Sequence, residues 1–148
     1  MIEMKYDKIF LTNLPSFYKN NLFAGIAKDK SIYVIYCYHA AGDRNKDFFK
    51  GELTFAHNFL PIGFWNKVQF LLEFFRNNSY YELVIGGWDN LVSWLMAFLL
   101  PKQKNSCIVE SSVYESRTTG IKGFVKRMFV SRLSKPYPSG VLQAKWLE

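Results

Sequence analysis

The chain has 148 residues, 49% of them apolar and 18% aromatic, enough for one domain with a core and too apolar for a disordered chain. Its two cysteines, Cys37 and Cys107, both lie in apolar runs, which excludes a disulfide scaffold and predicts buried free thiols. No stretch reaches the ~18 apolar residues of a membrane-spanning helix. The net charge is +7 and it is local: residues 116–135 hold Arg117, Lys122, Lys126, Arg127, Arg132 and Lys135 and no acid, while the rest of the chain is nearly neutral. A single basic patch points to an anionic surface partner and away from general coating by nucleic acid.

In chain order, Lys8–Asn13 reads as a first buried strand, ended by Leu14-Pro15-Ser16 because proline cannot continue a central ladder. Phe17–Lys28 has apolar residues at helical spacing behind Ser16, a good cap. Ser31–Tyr38 is β-branched and aromatic throughout, as a strand covered on both faces should be. A charged loop follows, then a weaker strand at Leu53–Leu60 and a helix at Phe64–Arg76. Tyr81–Leu100 reads as a buried strand, a glycine turn at Gly86-Gly87, and a buried helix behind Asp89-Asn90. Ser106–Glu110 is the fifth strand, Arg117–Leu133 an amphipathic helix, Lys135–Gly140 a turn, and Val141–Leu147 the start of another helix. Strands alternating with helices predict an α/β, Rossmann-like fold: an open, mostly parallel sheet with helices on both faces.

Several chemistries are excluded by absent motifs. No GxGxxG, GxxxxGK[ST], HExxH or GxSxG occurs, and the two histidines, His39 and His57, lie in separate segments. No metal-ligand spacing is present. What remains is a set of polar strand ends: Thr12-Asn13, His39, Gly86-Gly87-Trp88-Asp89 and Glu110-Ser111-Ser112. In a parallel sheet these carboxyl ends line one crevice, the usual ligand site. Asn13 and Asp89 read either as caps and turn formers or as ligand contacts. The glycines serve tight turning or close approach of a ligand to the backbone. Glu110, a carboxylate closing a buried strand, needs either a partner or a role as a base. On the 117–133 helix the apolar positions are 121, 124, 125, 128, 129 and 133. It is either an ordinary surface helix or one that docks on anionic lipid, with Phe124, Met128 or Phe129 reaching the interface.

Four segments together resemble the N-terminal domain of GT-B fold glycosyltransferases of the type that builds bacterial surface polysaccharides. Ile9–Lys28 resembles the family opening, with Lys19 where arginine is usual. Tyr81–Leu100 resembles its glycine turn and following apolar helix. Ile108–Lys126 resembles its Val-Leu-Glu-Ser strand end and basic helix. Ser139-Gly140 with Gln143 and Trp146 resembles its later glycine segment. The resemblance implies that residues 1–148 are one Rossmann-like acceptor-binding domain, half of a GT-B architecture. A nucleotide-sugar donor would bind a further C-terminal domain that this chain does not include, and the chain itself would need no cofactor or metal.

On that basis Asn13, Tyr18 and Lys19 are expected to shape the acceptor loop. Gly86, Gly87, Trp88, Asp89, Ser111 and Gly140 would line the acceptor site, Trp88 offering a face for sugar stacking. Glu110 is the candidate catalytic base. Lys122, Phe124, Lys126, Arg127 and Arg132 would face an anionic membrane. The expected partners are a glycan or lipid-linked acceptor and that membrane, with no nucleic acid, and the expected location is cytoplasmic, peripheral on the inner face. Two alternatives stay open: a membrane-associated acceptor subunit that recruits a separate catalytic chain, and a non-enzymatic Rossmann-like module for nucleotide binding or regulation.

Overall fold

The computed structural model describes residues 4–13, 15, 17–38, 53–86, 90–109 and 120–138. Its elements are β1 (Met4–Thr12), α1 (Phe17–Ala27), β2 (Ile32–Tyr36), β3 (His57–Phe59), α2 (Phe64–Asn77), β4 (Asn78–Ile85), α3 (Leu91–Leu99), a 3-10 turn (Lys102–Lys104), β5 (Asn105–Val109), α4 (Gly120–Val130) and β6 (Lys135–Pro138). The strands form one open parallel sheet in the order β3-β2-β1-β4-β5-β6, the strand order of Rossmann-like folds. The α/β reading of the sequence therefore holds. The chain divides into two compact units, Met1–Leu83 and Val84–Glu148.

In the first unit, consecutive residues of the strands are buried: Ile9, Phe10 and Leu11 in β1, Val34, Ile35 and Tyr36 in β2. Successive side chains of a strand point to opposite faces, so both faces are covered. On one face Phe23 of α1 packs against Phe10 at 4.7 Å between ring centroids. On the other, Phe74 of α2 meets Tyr33 at 4.8 Å and Tyr6 at 6.4 Å. Tyr6 reaches the face of Tyr33 because the amides of Asp7 and Lys8 both donate to the Ser31 carbonyl. This two-against-one pattern is that of a bulge, and it shifts the side-chain alternation by one. Lys8 and Glu82 form a half-buried ion pair between β1 and β4.

In the second unit the apolar helix α3 starts one residue later than Asp89 suggested. The cap is Asn90, whose Oδ1 accepts from the Val92 amide at 2.9 Å. Asp89 itself lies outside the described residues. The segment read as a turn, Lys135–Pro138, is an edge strand paired in parallel with β5, Ser106 opposite Lys135 and Val109 opposite Pro138. Pro136 and Pro138 alternate along it, so one edge of the strand lacks amides while Lys135 and Tyr137 keep theirs, which only an edge strand tolerates. Asn105 at the head of β5 is fully buried; its Nδ2 donates to the carbonyls of Ala97 at 2.9 Å and Arg132 at 3.1 Å. Cys37 and Cys107 are buried free thiols, as expected. The strand expected over Leu53–Leu60 is confined to His57–Phe59, and the helix expected from Val141 lies outside the described residues.

Candidate functional site

Within the first unit, the carboxyl ends of β1 and β2 meet the first turns of α1, where ligands bind in parallel sheets. Four side chains form a polar cluster there. Thr12 is buried, and its hydroxyl accepts from Lys19 Nζ at 3.4 Å. Tyr36 is fully buried and donates its hydroxyl to Asn20 Oδ1 at 3.0 Å. Asn20 Nδ2 is buried without a hydrogen-bond partner. Asn13, half-buried, accepts the Tyr38 amide on its carbonyl at 3.0 Å. The helical pattern of α1 predicts an apolar inner face, yet Leu22 is exposed and Asn20 is inside. The reason is Tyr36: a phenol buried on the facing strand requires a polar partner at that point of the helix.

Chemically this cluster offers hydrogen-bond donors and one positive charge. It can orient a hydroxyl-rich or anionic ligand, but it contains no carboxylate able to take a proton. Of the residues expected to line the acceptor site, the structure brings Asn13 and Lys19 together here and places Gly86 just past the end of β4. Tyr18 lies on the first turn of α1, its side chain outside the described residues. Gly87, Trp88, Asp89, Glu110, Ser111 and Gly140 also lie outside them, as does His39. Thr12 is one of the polar strand ends expected from the sequence, whereas Asn20 and Tyr36 were missed. The one available signal was a tyrosine inside an otherwise apolar strand.

Burial raises the pKa of Tyr36 strongly, pushes Tyr80 up to about 12, and raises Tyr6 and Tyr33 less. The folded chain thus holds these protons more tightly than the unfolded chain, whose tyrosines titrate near 10. Their contribution to stability is complete below about pH 10 and is lost as pH rises toward and beyond 12. Stability is expected to fall above about pH 10, by up to about 1.4 kcal/mol per pH unit for each of the strongly shifted Tyr36 and Tyr80, and Tyr80→Phe is expected to lessen that fall. Circular dichroism against pH checks this; an alkaline limb unchanged in Tyr80→Phe would contradict it.

In the second unit, α4 does not pack by its largest apolar stripe. Gly123 and Phe129 are buried and Lys126 and Val130 half-buried, with Phe129 at 0% exposure tilted against Trp94 at 4.8 Å. The stripe Ile121, Phe124, Val125 and Met128, at i, i+3, i+4 and i+7, faces solvent, with Ile121 83% and Phe124 60% exposed. At about 100° per residue the exposed Lys122 and Arg127 fall on opposite flanks of that stripe. Phe129 is therefore a core residue and not an interface residue. Arg132 is committed to the fold: its Nε donates to the Ala97 carbonyl and its Nη2 to that of Phe98, both at 3.3 Å, at the negative end of α3. Lys122, Phe124 and Arg127 are exposed, as a surface contact requires.

Among the described residues, no group of three or more His, Cys, Asp or Glu side chains is placed to hold a metal ion, and no helix is long and apolar enough to cross a membrane. No family model matches the chain, and no curated protein or solved structure matches it either.

Proposed function

We propose that this chain is the acceptor-binding half of a glycosyltransferase that works at the surface of an anionic membrane. The observation that carries the reading is α4: a basic helix that keeps four apolar side chains in solvent and buries a different edge. Monomeric soluble surfaces rarely leave such a stripe uncovered, and cations flanking an apolar stripe suit anionic headgroups above an acyl boundary. The Rossmann-like strand order and the polar cluster at Thr12, Lys19, Asn20 and Tyr36 support a ligand site rich in hydrogen-bond donors. The glycosyl step rests on the likeness of four sequence segments. In that reaction an acceptor hydroxyl oxygen bonds to the anomeric carbon as the nucleoside diphosphate leaves, and Glu110 takes the hydroxyl proton. The nucleotide-sugar belongs to a separate donor-binding domain, so this chain needs no cofactor of its own.

Calorimetric titration with uridine- and guanosine-diphosphate sugars tests the division of labour. The expected result is no saturable binding at micromolar concentration. Micromolar binding would overturn the acceptor-half reading in favour of a nucleotide-binding module.

A further inference from the structure

The loop between β3 and α2 presents an apolar tip that the proposed function does not use. Ile62 is 87% exposed and Trp65 76%, with Phe64 partly exposed between them. The tip is built, not loose. Gly63 takes φ 99°, a conformation that suits glycine, and a Cβ there would meet Asn66 Nδ2 at 3.2 Å. Asn66 donates that Nδ2 to the Ile62 carbonyl at 2.8 Å, and the Lys67 amide donates to the Gly63 carbonyl at 3.0 Å. Phe64 and Trp65 pack edge to face at 5.2 Å. Residues 53–72 contain no acid; Lys67 lies beside the tip with its Nζ 4.1 Å over the ring of Tyr38, itself exposed.

We propose that Ile62, Phe64 and Trp65 form an insertion tip that enters the interfacial layer of a lipid bilayer, a membrane contact separate from α4; this rests on the membrane reading above. A stable protein interface needs about 1,000 Å² or more, which a tip of three side chains does not supply. A bilayer needs only side chains that partition, and tryptophan favours its interfacial layer, where the ring is solvated by apolar matter and the N–H by headgroups. A rigid turn loses little conformational entropy on insertion. The absence of acids removes the repulsion that an anionic surface would exert. The tip leads from the end of β3 into the start of α2. That is the same carboxyl edge of the first unit as the Thr12, Lys19, Asn20 and Tyr36 cluster, so insertion would turn that cluster toward lipid-linked ligands.

Since Cys37 and Cys107 are buried, an introduced cysteine can carry a polarity-sensitive fluorophore alone. Ile62→Cys reports the tip, and Asp29→Cys, exposed beyond the far end of α1, is the control. With vesicles of phosphatidylcholine and phosphatidylglycerol, the Ile62 label is expected to shift blue and the Asp29 label to keep its aqueous emission. Trp65→Ser is expected to weaken vesicle affinity by about tenfold with an unchanged melting temperature. If the protein sediments with vesicles while the Ile62 label stays aqueous, or both labels shift alike, the tip is refuted and the α4 reading stands. If the protein does not sediment at all, both fall.

Discussion

Replacing Phe129 by alanine is expected to lower stability by about 3–5 kcal/mol, as truncation of a buried phenylalanine does. For a chain of this size that is a fall in melting temperature of roughly 6–20 °C. Phe129 is fully buried and tilted against Trp94, which in turn stacks on Phe98 of the same helix. Truncation leaves a cavity that the surrounding rings fill only in part. The same substitution would have a different signature if Phe129 belonged to the membrane face of α4: vesicle affinity would fall and stability would hold. Thermal unfolding followed by circular dichroism separates the two. A melting temperature within about 2 °C of wild type, less than the shift expected from 1 kcal/mol, would refute the placement of α4.

That placement was the least legible feature of the sequence. Periodicity shows that α4 is amphipathic, and the ordinary inference is that its richest apolar stripe faces the core. Here the buried edge runs through Gly123 and Phe129, with Lys126 and Val130 half-buried beside them, a sparse stripe that no hydropathy pattern would select. Other parts were plain. The runs Ile32–Tyr36 and Leu83–Ile85 are too apolar and β-branched for anything but covered strands, and α3 is apolar apart from Ser93. Alternation of these with helices was enough to fix the fold class. Local chemistry with two nearly equal solutions was not readable. Asp89 and Asn90 are both good caps, and the chain uses Asn90. Lys135–Pro138 has the residues of a turn, yet alternating prolines also fit an edge strand. Asn20 looks like a surface residue until Tyr36 is seen to need it. Of the candidate acceptor residues, Asn13 sits at the predicted strand end because strand ends are set by the strands themselves, and Lys19 reaches that end from the first turn of α1. The clustering of Thr12, Asn20 and Tyr36 depends on tertiary packing.

Phe124→Asp with Met128→Asp is expected to reduce affinity for anionic vesicles by about a hundredfold or more. Burying each of these side chains contributes about 1.5–3 kcal/mol, and every 1.4 kcal/mol is tenfold in affinity. The two added carboxylates also oppose the anionic surface, toward which each flanking cation contributes about 1 kcal/mol. Both side chains are exposed, so folding should be spared. The reverse pattern, stability lost and vesicle affinity kept, would place the stripe in a core.

Docking on an anionic bilayer through α4 is the core of the proposed function. The measurement that meets it most directly is co-sedimentation of the unmodified protein with phosphatidylcholine vesicles, with and without phosphatidylglycerol, at low and high salt. Strong binding to the mixed vesicles is expected, weakened by salt as the attraction of Lys122 and Arg127 is screened, with little binding to phosphatidylcholine alone. Equal binding to both compositions, or binding to neither, would contradict it.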